Sequence, residues 1–385
     1  MKKTCSKILM VLVPVVFFTA QFCAAQEEPA AAGTKAGGVK SLEQRIKHLE
    51  DAIKRTPESN KWYDRIQIKG LVEVEAAHSK IDFQNPAVDD ISASDIDLAT
   101  VELVVDANIT RHVNGHVMLK YESDTDVFVD EGFITLSGTK AFPAYLIAGR
   151  QYIPFGNFDS HFITDPVTLV LGETNEGAVV AGYRVDGGRY DLSLGAFNGK
   201  TGKANSDSTI SNYVASVSAA PFENVVLGLS YTSNLAASSG LNEQAQDLDA
   251  NAKKDDLNRY VGGWSAFASF SFENFKLIGE YVGAADEFEA GELYSAVDSE
   301  KRKPSAWNVE LGYTINGAWE VAGCYEASSD GDAGAAEFLP ESRYGGVVNW
   351  GFFKNTNLAA EYLHGEYRND FQTEDVFTVQ LAIEF

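Results

Sequence analysis

The sequence is poor in cysteine and in basic residues. It holds 3 cysteines among 385 residues, and two of them, Cys5 and Cys23, lie in an N-terminal leader. Cys324 then stands alone, which excludes an intrachain disulfide as a source of stability. Lys and Arg number 31 against 55 Asp and Glu, for a net charge of -24. A chain this acidic, without a basic patch, is not expected to bind nucleic acid.

Two further absences narrow the class of protein. After the leader, no apolar run reaches the ~18 residues from which a transmembrane helix is recognised. There is also no HExxH, GxSxG, CxxC or Walker loop, and the 6 histidines are scattered along the chain. His112 and His116 fit a turn and its adjoining strand as well as they fit a metal site. We therefore predict no enzyme activity, no cofactor and no metal centre.

Residues 1–61 carry three signals that differ from the rest of the chain. Basic residues, an apolar run and Ala24-Ala25 predict a secretory signal peptide over 1–25. Residues 26–61 read as a periplasmic linker followed by a short helix. The heptad positions of that helix are Leu42, Ile46, Leu49 and Ile53. Two heptads are marginal alone, so the helix either packs on the rest of the protein or joins protomers as a coiled coil.

From 62 to 385 the apolar residues recur with a period of two. In WNVELGYT (307–314) and VVLGLSYT (225–232), apolar residues occupy every second position, as in strands with one apolar face. We count sixteen such segments. They lie near 64–77, 95–107, 114–123, 129–137, 143–153, 177–185, 189–197, 210–219, 223–233, 258–272, 275–284, 304–315, 318–327, 341–353, 356–367 and 375–385.

The connections between these segments alternate in length. Short turns such as ING at 315 separate long polar stretches such as 78–94, 154–176 and 234–257. Outer-membrane barrels have this asymmetry, with short periplasmic turns and long external loops. We therefore predict an all-β protein, a transmembrane antiparallel up-and-down β-barrel of about 16 strands over 62–385, in the outer membrane of a Gram-negative bacterium. A secreted soluble barrel is the alternative.

The chain ends in FTVQLAIEF, whose apolar residues alternate up to the terminal Phe385. A closed barrel leaves no strand edge in lipid, so this strand is predicted to pair with the first one. Its apolar face, formed by Phe377, Val379, Leu381, Ile383 and Phe385, would then contact lipid. The pattern also resembles the signal that the outer-membrane assembly machinery recognises, which makes that machinery an expected partner.

The inner face of so wide a barrel is expected to contact water. Alternation places acids and bases there in a ratio of ten to six, and rings of acids favour cations. The residues are Lys69, Glu73, Glu75, Glu102, Asp106, Lys120, Glu131, Arg150, Arg184, Lys276, Glu280, Glu310, Glu320, Glu326, Arg343 and Glu361. A wet lumen needs polar residues in any case, so most single positions carry no functional meaning.

The connection 154–177 is long but rich in aromatic and aliphatic residues, which a solvated loop does not need. We predict that it folds into the barrel and narrows it, as in sixteen-stranded porins. The constriction would hold Asp159, His161, Asp165, Glu173 and Glu176, with Arg150 at the wall. Alternatively, the loop packs outside against a neighbouring protomer.

Three stretches resemble the LbtU family of siderophore porins: TVELVVDANITRHVNGHVMLKYE (100–122), VDEGFITLSG (129–138) and, above all, AGRQYIPFGNFDSHFITDPVTLVLGETNEGAVVAGY (148–183). The resemblance covers most of the mature chain and implies passive uptake of iron–siderophore complexes through an outer-membrane channel. It assigns no ligand-binding residue.

The charge of the lumen does not decide which solute the channel carries. Many ferric siderophores are anionic and an acidic lumen repels them, so Arg150 and Arg184 are the candidates to bind one. A general, cation-preferring diffusion porin and a purely structural or adhesive barrel with a closed lumen are the alternatives. The heptads and the behaviour of porins also suggest a homotrimer.

Overall fold

The computed structural model describes residues 62–85, 87–203, 209–242, 257–293, 299–333, 336–368 and 372–385. The predicted signal peptide (1–25) and the predicted linker and heptad helix (26–61) lie outside the described residues. None of the helices described within these ranges is long and apolar enough to cross a membrane.

Sixteen antiparallel strands close into one barrel, as the sequence predicts. The strands run up and down in chain order, and the last pairs with the first. They are β1 (Ile66–Phe83), β2 (Ile91–Thr110), β3 (Val113–Glu122), β4 (Phe128–Thr139), β5 (Phe142–Tyr152), β6 (Asn175–Val185), β7 (Tyr190–Phe197), β8 (Asn212–Phe222), β9 (Val225–Thr232), β10 (Gly263–Phe272), β11 (Phe275–Ala284), β12 (Ser305–Thr314), β13 (Trp319–Ser329), β16 (Ser342–Phe353), β17 (Thr356–Glu366) and β18 (Gln372–Glu384).

Smaller elements accompany the barrel, among them a 3-10 turn at Asp186–Gly188 between β6 and β7. A hairpin of β14 (Asp332–Ala333) and β15 (Ala336–Glu337) precedes β16, and helix α1 (Val167–Gly172) lies between β5 and β6. Short 3-10 turns at Trp62–Arg65 and Leu235–Ala237 lie before β1 and after β9.

The C-terminal residue completes the barrel. β18 pairs with β1 from Leu71↔Glu384 to Phe83↔Gln372. Beyond that register, the N–H of Gly70 donates to the carbonyl of Phe385 at 2.9 Å, and the N–H of Phe385 donates to that of Gly70 at 3.0 Å. The Phe385 ring covers Gly70 so closely that an added Cβ would lie 2.3 Å from it. The alternating C-terminal strand is therefore the seam of the barrel.

The outer face is apolar and carries two girdles of aromatic residues over much of its circumference. Near the short turns, Trp319 stacks on Trp350 with ring centroids 5.0 Å apart. Near the long loops, Trp264 and Tyr281 are 4.6 Å apart. Between the girdles lie exposed aliphatic residues such as Leu311, with 51% of its surface accessible. Such a band, bounded by aromatic girdles, is the lipid-facing surface of an outer-membrane barrel.

The connection predicted at 78–94 is shorter than expected. β1 and β2 continue to pair up to Ile81↔Ile91, so that residues 84–90 alone connect them. The polar composition of this stretch suggested a loop, but strands above the membrane are solvated on both faces and need no apolar residues. The β1–β2 hairpin therefore rises beyond the end of β3, while β18 stays paired with β1 up to Phe83.

External loops fill part of the lumen with an apolar core. Phe155 and Leu171 of the β5–β6 connection, Leu235 after β9, Phe288 after β11 and Phe338 before β16 are all buried. They pack against inward side chains of the wall such as Val180, Phe197 and Val282. The lumen is therefore narrowed from one side by packed loops.

The seam can be tested with two variants of the last residue. Deleting Phe385 removes both backbone hydrogen bonds to Gly70, whereas Phe385→Ala removes only the ring. At about 0.5–1.5 kcal/mol for each net hydrogen bond, the deletion should lower the free energy of unfolding by about 1–3 kcal/mol more than Phe385→Ala does. Urea unfolding of the refolded protein in lipid vesicles measures the difference. Equal stability of the two variants would mean that these bonds do not secure the seam.

Candidate functional site

The connection between β5 and β6, residues 153–174, folds into the barrel. Pairing of β5 with β6 extends to Tyr152↔Asn175, and the chain between them turns inward from there. Its apolar residues Phe155 and Leu171 are 2% and 0% exposed within the luminal core, and α1 contacts β11, β12 and β13. Burial of these side chains accounts for the apolar composition of the loop. The alternative, in which the loop packs outside the barrel, is excluded.

Carboxylates on successive strands of the far wall hold the first part of this loop. Both oxygens of Glu280 on β11 accept backbone N–H groups, from Asn157 at 2.9 Å and Phe158 at 2.7 Å. Glu310 on β12 accepts the Ser160 hydroxyl and the His161 N–H, each at 2.7 Å. A loop without secondary structure has N–H groups that need acceptors when buried, and these glutamates supply them.

Glu361 and Arg343 hold the next turn of the loop. Glu361 on β17 accepts the N–H of Ile163 at 2.5 Å and the hydroxyl of Thr164 at 2.6 Å. Arg343 on β16 donates through Nη2 to the carbonyl of Asp165 at 2.6 Å, and its Nε donates to Glu326 at 2.5 Å. Hydrogen bonds to charged groups contribute about 1.5–3 kcal/mol each, so this set fixes the course of the loop.

The His161 side chain of the loop is held against the wall by residues of β12 and β13. Its Nδ1 lies 2.8 Å from Oε1 of Glu320 on β13. The ring lies on Gly312 of β12, where an added Cβ would be 2.5 Å from the ring carbon Cε1. Asn349 donates from Nδ2 to the carbonyl of His161 at 3.0 Å. His161 is thus a buried anchor of the loop, and Gly312 leaves the room for it.

The other predicted acids of the loop are also partly or fully enclosed. Asp159 is half-buried, with its Oδ2 3.7 Å from the Lys276 ammonium. Burial raises the pKa of Glu173 to about 8, against the opposite effect of the Lys120 charge. Burial likewise raises the pKa of Asp165 well above its usual range. Glu176, at the start of β6, is buried as well. These carboxyls do not form an open ring of charge.

Neither predicted arginine lies beside the loop acids. Alternation along β5 sets Arg150 on the side of the exposed Leu146, whereas the buried Gln151 points into the barrel. The guanidinium Nε donates to the carbonyl of Asp130 at 3.0 Å. The prediction that Arg150 lines the lumen is therefore wrong. Apolar residues on both faces of β5, Leu146 outside and Ile147 opposite the buried Val180, concealed the register in the sequence.

Arg184 does face inward, but at the periplasmic end of β6. Its Nε donates to Asp191 at 2.9 Å, one residue pair from the 186–189 turn, and its guanidinium lies 4.3 Å from the centre of the Tyr145 ring. Between Gly177, near the loop, and Arg184 the strand covers about 23 Å at ~3.3 Å per residue. The structure therefore does not join Arg184 to the constriction.

Strands β1–β4, which follow β18 around the barrel, carry a second network of charges. Asp106 accepts from Lys69 at 3.1 Å and contacts Nδ1 of His116 at 2.7 Å. The His116 ring stacks on Phe133, with centroids 4.6 Å apart, and its Nε2 lies 3.4 Å from Glu131. Within the described ranges, no group of His, Cys, Asp and Glu has the arrangement of a metal site.

Sequence reasoning placed Glu280, Glu310 and Glu361 in the lumen but did not identify their role. They were counted as charges facing the solute, whereas they bind the backbone of the loop. Inward acids on neighbouring strands, beside a loop too apolar for solvent, were the signal in the sequence. The contacts themselves join residues more than 120 positions apart and have no local pattern.

Comparisons with known proteins agree with this architecture. No family model matches the sequence. A "UPF0422 protein" of Coxiella burnetii is 28% identical over 263 residues, covering 66% of this chain and 55% of its own length. The "UPF0422 protein lpl2888" of Legionella pneumophila (strain Lens) is 25% identical over 317 residues, covering 73% and 56%. The chain thus spans little more than half the length of these relatives, whose names state no activity.

Solved structures that resemble this barrel include outer-membrane channels. The channel DcaP of Acinetobacter baumannii has a TM-score of 0.57 at 14% identity, over 83% of this chain and 97% of that one. An anion-selective porin from Comamonas acidovorans has a TM-score of 0.55 at 13% identity, over 83% and 99%. The chain therefore has the fold of a porin and lies in the outer membrane, as predicted. The LbtU resemblance stays a prediction.

The hydrogen bonds that hold the loop backbone to the wall, called tethers from here on, can be tested at Glu361. Glu361→Ala removes the acceptor of the Ile163 and Thr164 backbone groups, so the loop should detach locally. Single-channel recordings should then show more frequent current transitions and a higher mean conductance, by roughly 1.5-fold or more. Glu75→Ala is the matched control, since this inward glutamate accepts from Gln380 on β18 instead of from the loop. Identical recordings for both variants would contradict the tethering role.

Proposed function

We propose that this protein is a passive diffusion channel that prefers small cations to anions. The proposal rests on the inner faces of β1–β4, which β18 alone separates from the last strand that holds the loop, β17. Carboxylates outnumber lysines there. The acids that keep part of their surface exposed are Glu75, Glu102 and Glu122, the buried ones are Glu73, Asp106 and Glu131, and the lysines are Lys69 and the buried Lys120. Rings of acids with this excess attract cations and repel anions.

Partial pairing does not remove the excess. Lys120 lies 2.8 Å from Glu122 and 3.9 Å from Glu102, and Lys69 neutralises Asp106. Glu75 is half-buried and accepts from the neutral Gln380, so it keeps its full charge when ionised. Strands β11–β17 contribute less to ion selectivity, because Glu280, Glu310 and Glu361 lie under the loop. Selectivity is therefore assigned to β1 and β2 more than to the constriction loop.

Uptake of iron–siderophore complexes is the narrower hypothesis, and it rests on the LbtU resemblance. An anionic complex needs cationic groups in its path. Arg150 lies on the outer face of β5, and Arg184 is already paired with Asp191. These positions favour the general channel over a specific anionic siderophore site.

Reversal potentials under a tenfold KCl gradient test the proposal. The wild-type channel should be cation-selective, and the double variant Glu75→Gln, Glu102→Gln should have a cation-to-anion permeability ratio at least twofold lower. Asp186→Asn, in the exposed periplasmic turn, is the control for loss of a carboxylate outside the lumen. An anion-selective wild type, or a double variant that matches the control, would refute the proposed selectivity.

The same recordings decide the siderophore hypothesis. A ferric carboxylate siderophore added on the loop side should leave a general channel unblocked at micromolar concentration. Concentration-dependent block that Arg184→Ala abolishes would instead establish a luminal siderophore site and the narrower function.

The outer face also suggests where copies of the chain meet. On the outward positions of the described strands β1–β4, Tyr121 is the one Phe, Tyr or Trp; the others are mostly aliphatic or glycine, as at Gly115 and Ile134. Aromatic girdles mark contact with the lipid–water interface, and a face without them suits contact with protein. We assign the predicted homotrimer contact to this aliphatic sector.

Two glycine substitutions test the aliphatic sector. A Cβ at Gly115 meets nothing within 4 Å, and one at Gly279 on the girdled face meets only ordinary contacts at 3.8 Å and beyond. Both sites therefore accept Gly→Trp in a single barrel. Gly115→Trp should dissociate the oligomer into monomers on native gels and in light scattering, whereas Gly279→Trp should not. The assignment would be contradicted if both variants formed oligomers of wild-type size, or if the wild-type protein were itself monomeric.

A further inference from the structure

The hairpin that rises above the barrel rim leaves one strand edge open. Residues 91–98 of β2 pair with β1, from Ile81↔Ile91 to Val74↔Leu98. On the other side, pairing with β3 begins only at Thr100↔Glu122. Among the described residues no strand lies beside 91–98. At ~3.3 Å per residue, this open edge is about 26 Å long.

The edge presents backbone groups in the order that a further strand requires. The N–H of Ile96 points away from β1 and donates to the Asp95 carboxylate at 2.8 Å. In an antiparallel ladder, backbone groups alternate between the two neighbours, so those of Ser92, Ser94 and Leu98 face the same way as those of Ile96. A row of such groups on an edge is a template for pairing with another chain.

The side chains along the edge are exposed and partly apolar. Ile96 is 74% exposed and Leu98 is 42% exposed, on the outward face of the hairpin. Below the edge, Val127 in the short connection between β3 and β4 is 66% exposed. Apolar residues of an added strand would cover these side chains and withdraw them from water.

The charge around the edge selects the partner. Lys80, which lies opposite Ser92, is paired with Asp82 at 2.5 Å, and the stretches 81–110 and 121–139 that flank the edge contain neither Lys nor Arg. The exposed acids there are Asp89, Asp90, Asp95, Asp97, Asp124 and Asp126. A second copy of this chain would bring the same aspartates to the edge and would be repelled. A cationic segment has the complementary charge.

We propose that the open edge of β2 binds an extended, cationic segment of another polypeptide by β-strand addition at the cell surface. Main-chain hydrogen bonds to Ser92, Ser94 and Ile96 provide the pairing. Alternate Lys or Arg side chains of the segment face Asp95 and Asp97, and the intervening apolar side chains cover Ile96 and Leu98. This is the mode by which exposed sheet edges capture extended peptides.

The full chain in nanodiscs of zwitterionic lipid, with a fluorescent decapeptide of alternating Lys and Val, provides the test. Fluorescence anisotropy should show saturable binding. Ser94→Pro deletes an N–H that faces away from β1 and should weaken binding at least tenfold. Ser94→Ala is the matched control, because it also loses the contact of the hydroxyl with Nδ1 of His78, 2.7 Å away, but keeps the N–H. Heat-modifiable gel mobility and unchanged conductance confirm that both variants are folded.

Two further peptides separate strand addition from plain charge attraction. The same Lys-Val peptide, N-methylated at every second residue, keeps its charge but loses one edge of donors, and it should not bind. A Glu-Val peptide should not bind either. Equal binding of the N-methylated peptide, equal binding by Ser94→Pro and Ser94→Ala, or no binding of the Lys-Val peptide at all would each overturn the proposal.

Discussion

Backbone hydrogen bonding is the constraint on which this structure depends. Within a membrane an unpaired N–H or C=O costs several kcal/mol, so every strand needs a partner on both sides. The barrel meets this requirement down to its last residue, where Phe385 exchanges two hydrogen bonds with Gly70. The same requirement recurs in the lumen, where the 153–174 loop has no strand beside it. Glu280, Glu310 and Glu361 act there as the acceptors that a ladder would otherwise supply.

This second use of carboxylates changes how the lumen is interpreted. A count of inward acids treats each as a charge available to solutes, yet a glutamate that accepts two backbone N–H groups has both oxygens engaged. The charges then act locally, by fixing the loop. Glu75 contacts a neutral amide instead, and the proposed function assigns it an effect on passing ions. Under that proposal the same residue type serves two purposes in one barrel, anchoring on β11–β17 and ion selectivity on β1–β4.

Periodicity explains how much of this could be predicted. Strand number, strand order and the closing role of the C-terminus follow from a period of two and from alternating loop lengths, which are local properties. Arg150 is misplaced in the sequence analysis because β5 has apolar residues on both faces, Leu146 outside and Ile147 inside, which hides that period. The tethers of His161 and Ile163 connect distant segments and leave no local trace. The prediction of a loop over 78–94 was wrong for a different reason. Strands outside lipid need no apolar face, so their polar sequence cannot be told from that of a loop.

The barrel differs around its circumference in loop packing, aromatic girdles and inner charge, and these differences divide the strands in the same way. The strands that hold the loop also carry most of the aromatic girdles, whereas β1–β4 have an aliphatic outer face, an acidic inner face and an extension above the rim. A wall that is stiffened by packed loops on the inside can face fluid lipid on the outside. The tethers from Glu280, Glu310 and Glu361 lie on β11, β12 and β17, so β1–β4 are the strands for which a neighbouring protomer would provide rigid support. Under the proposed function, the aliphatic sector and the acidic luminal face belong to one arrangement, in which contact between copies steadies the surface along which ions pass.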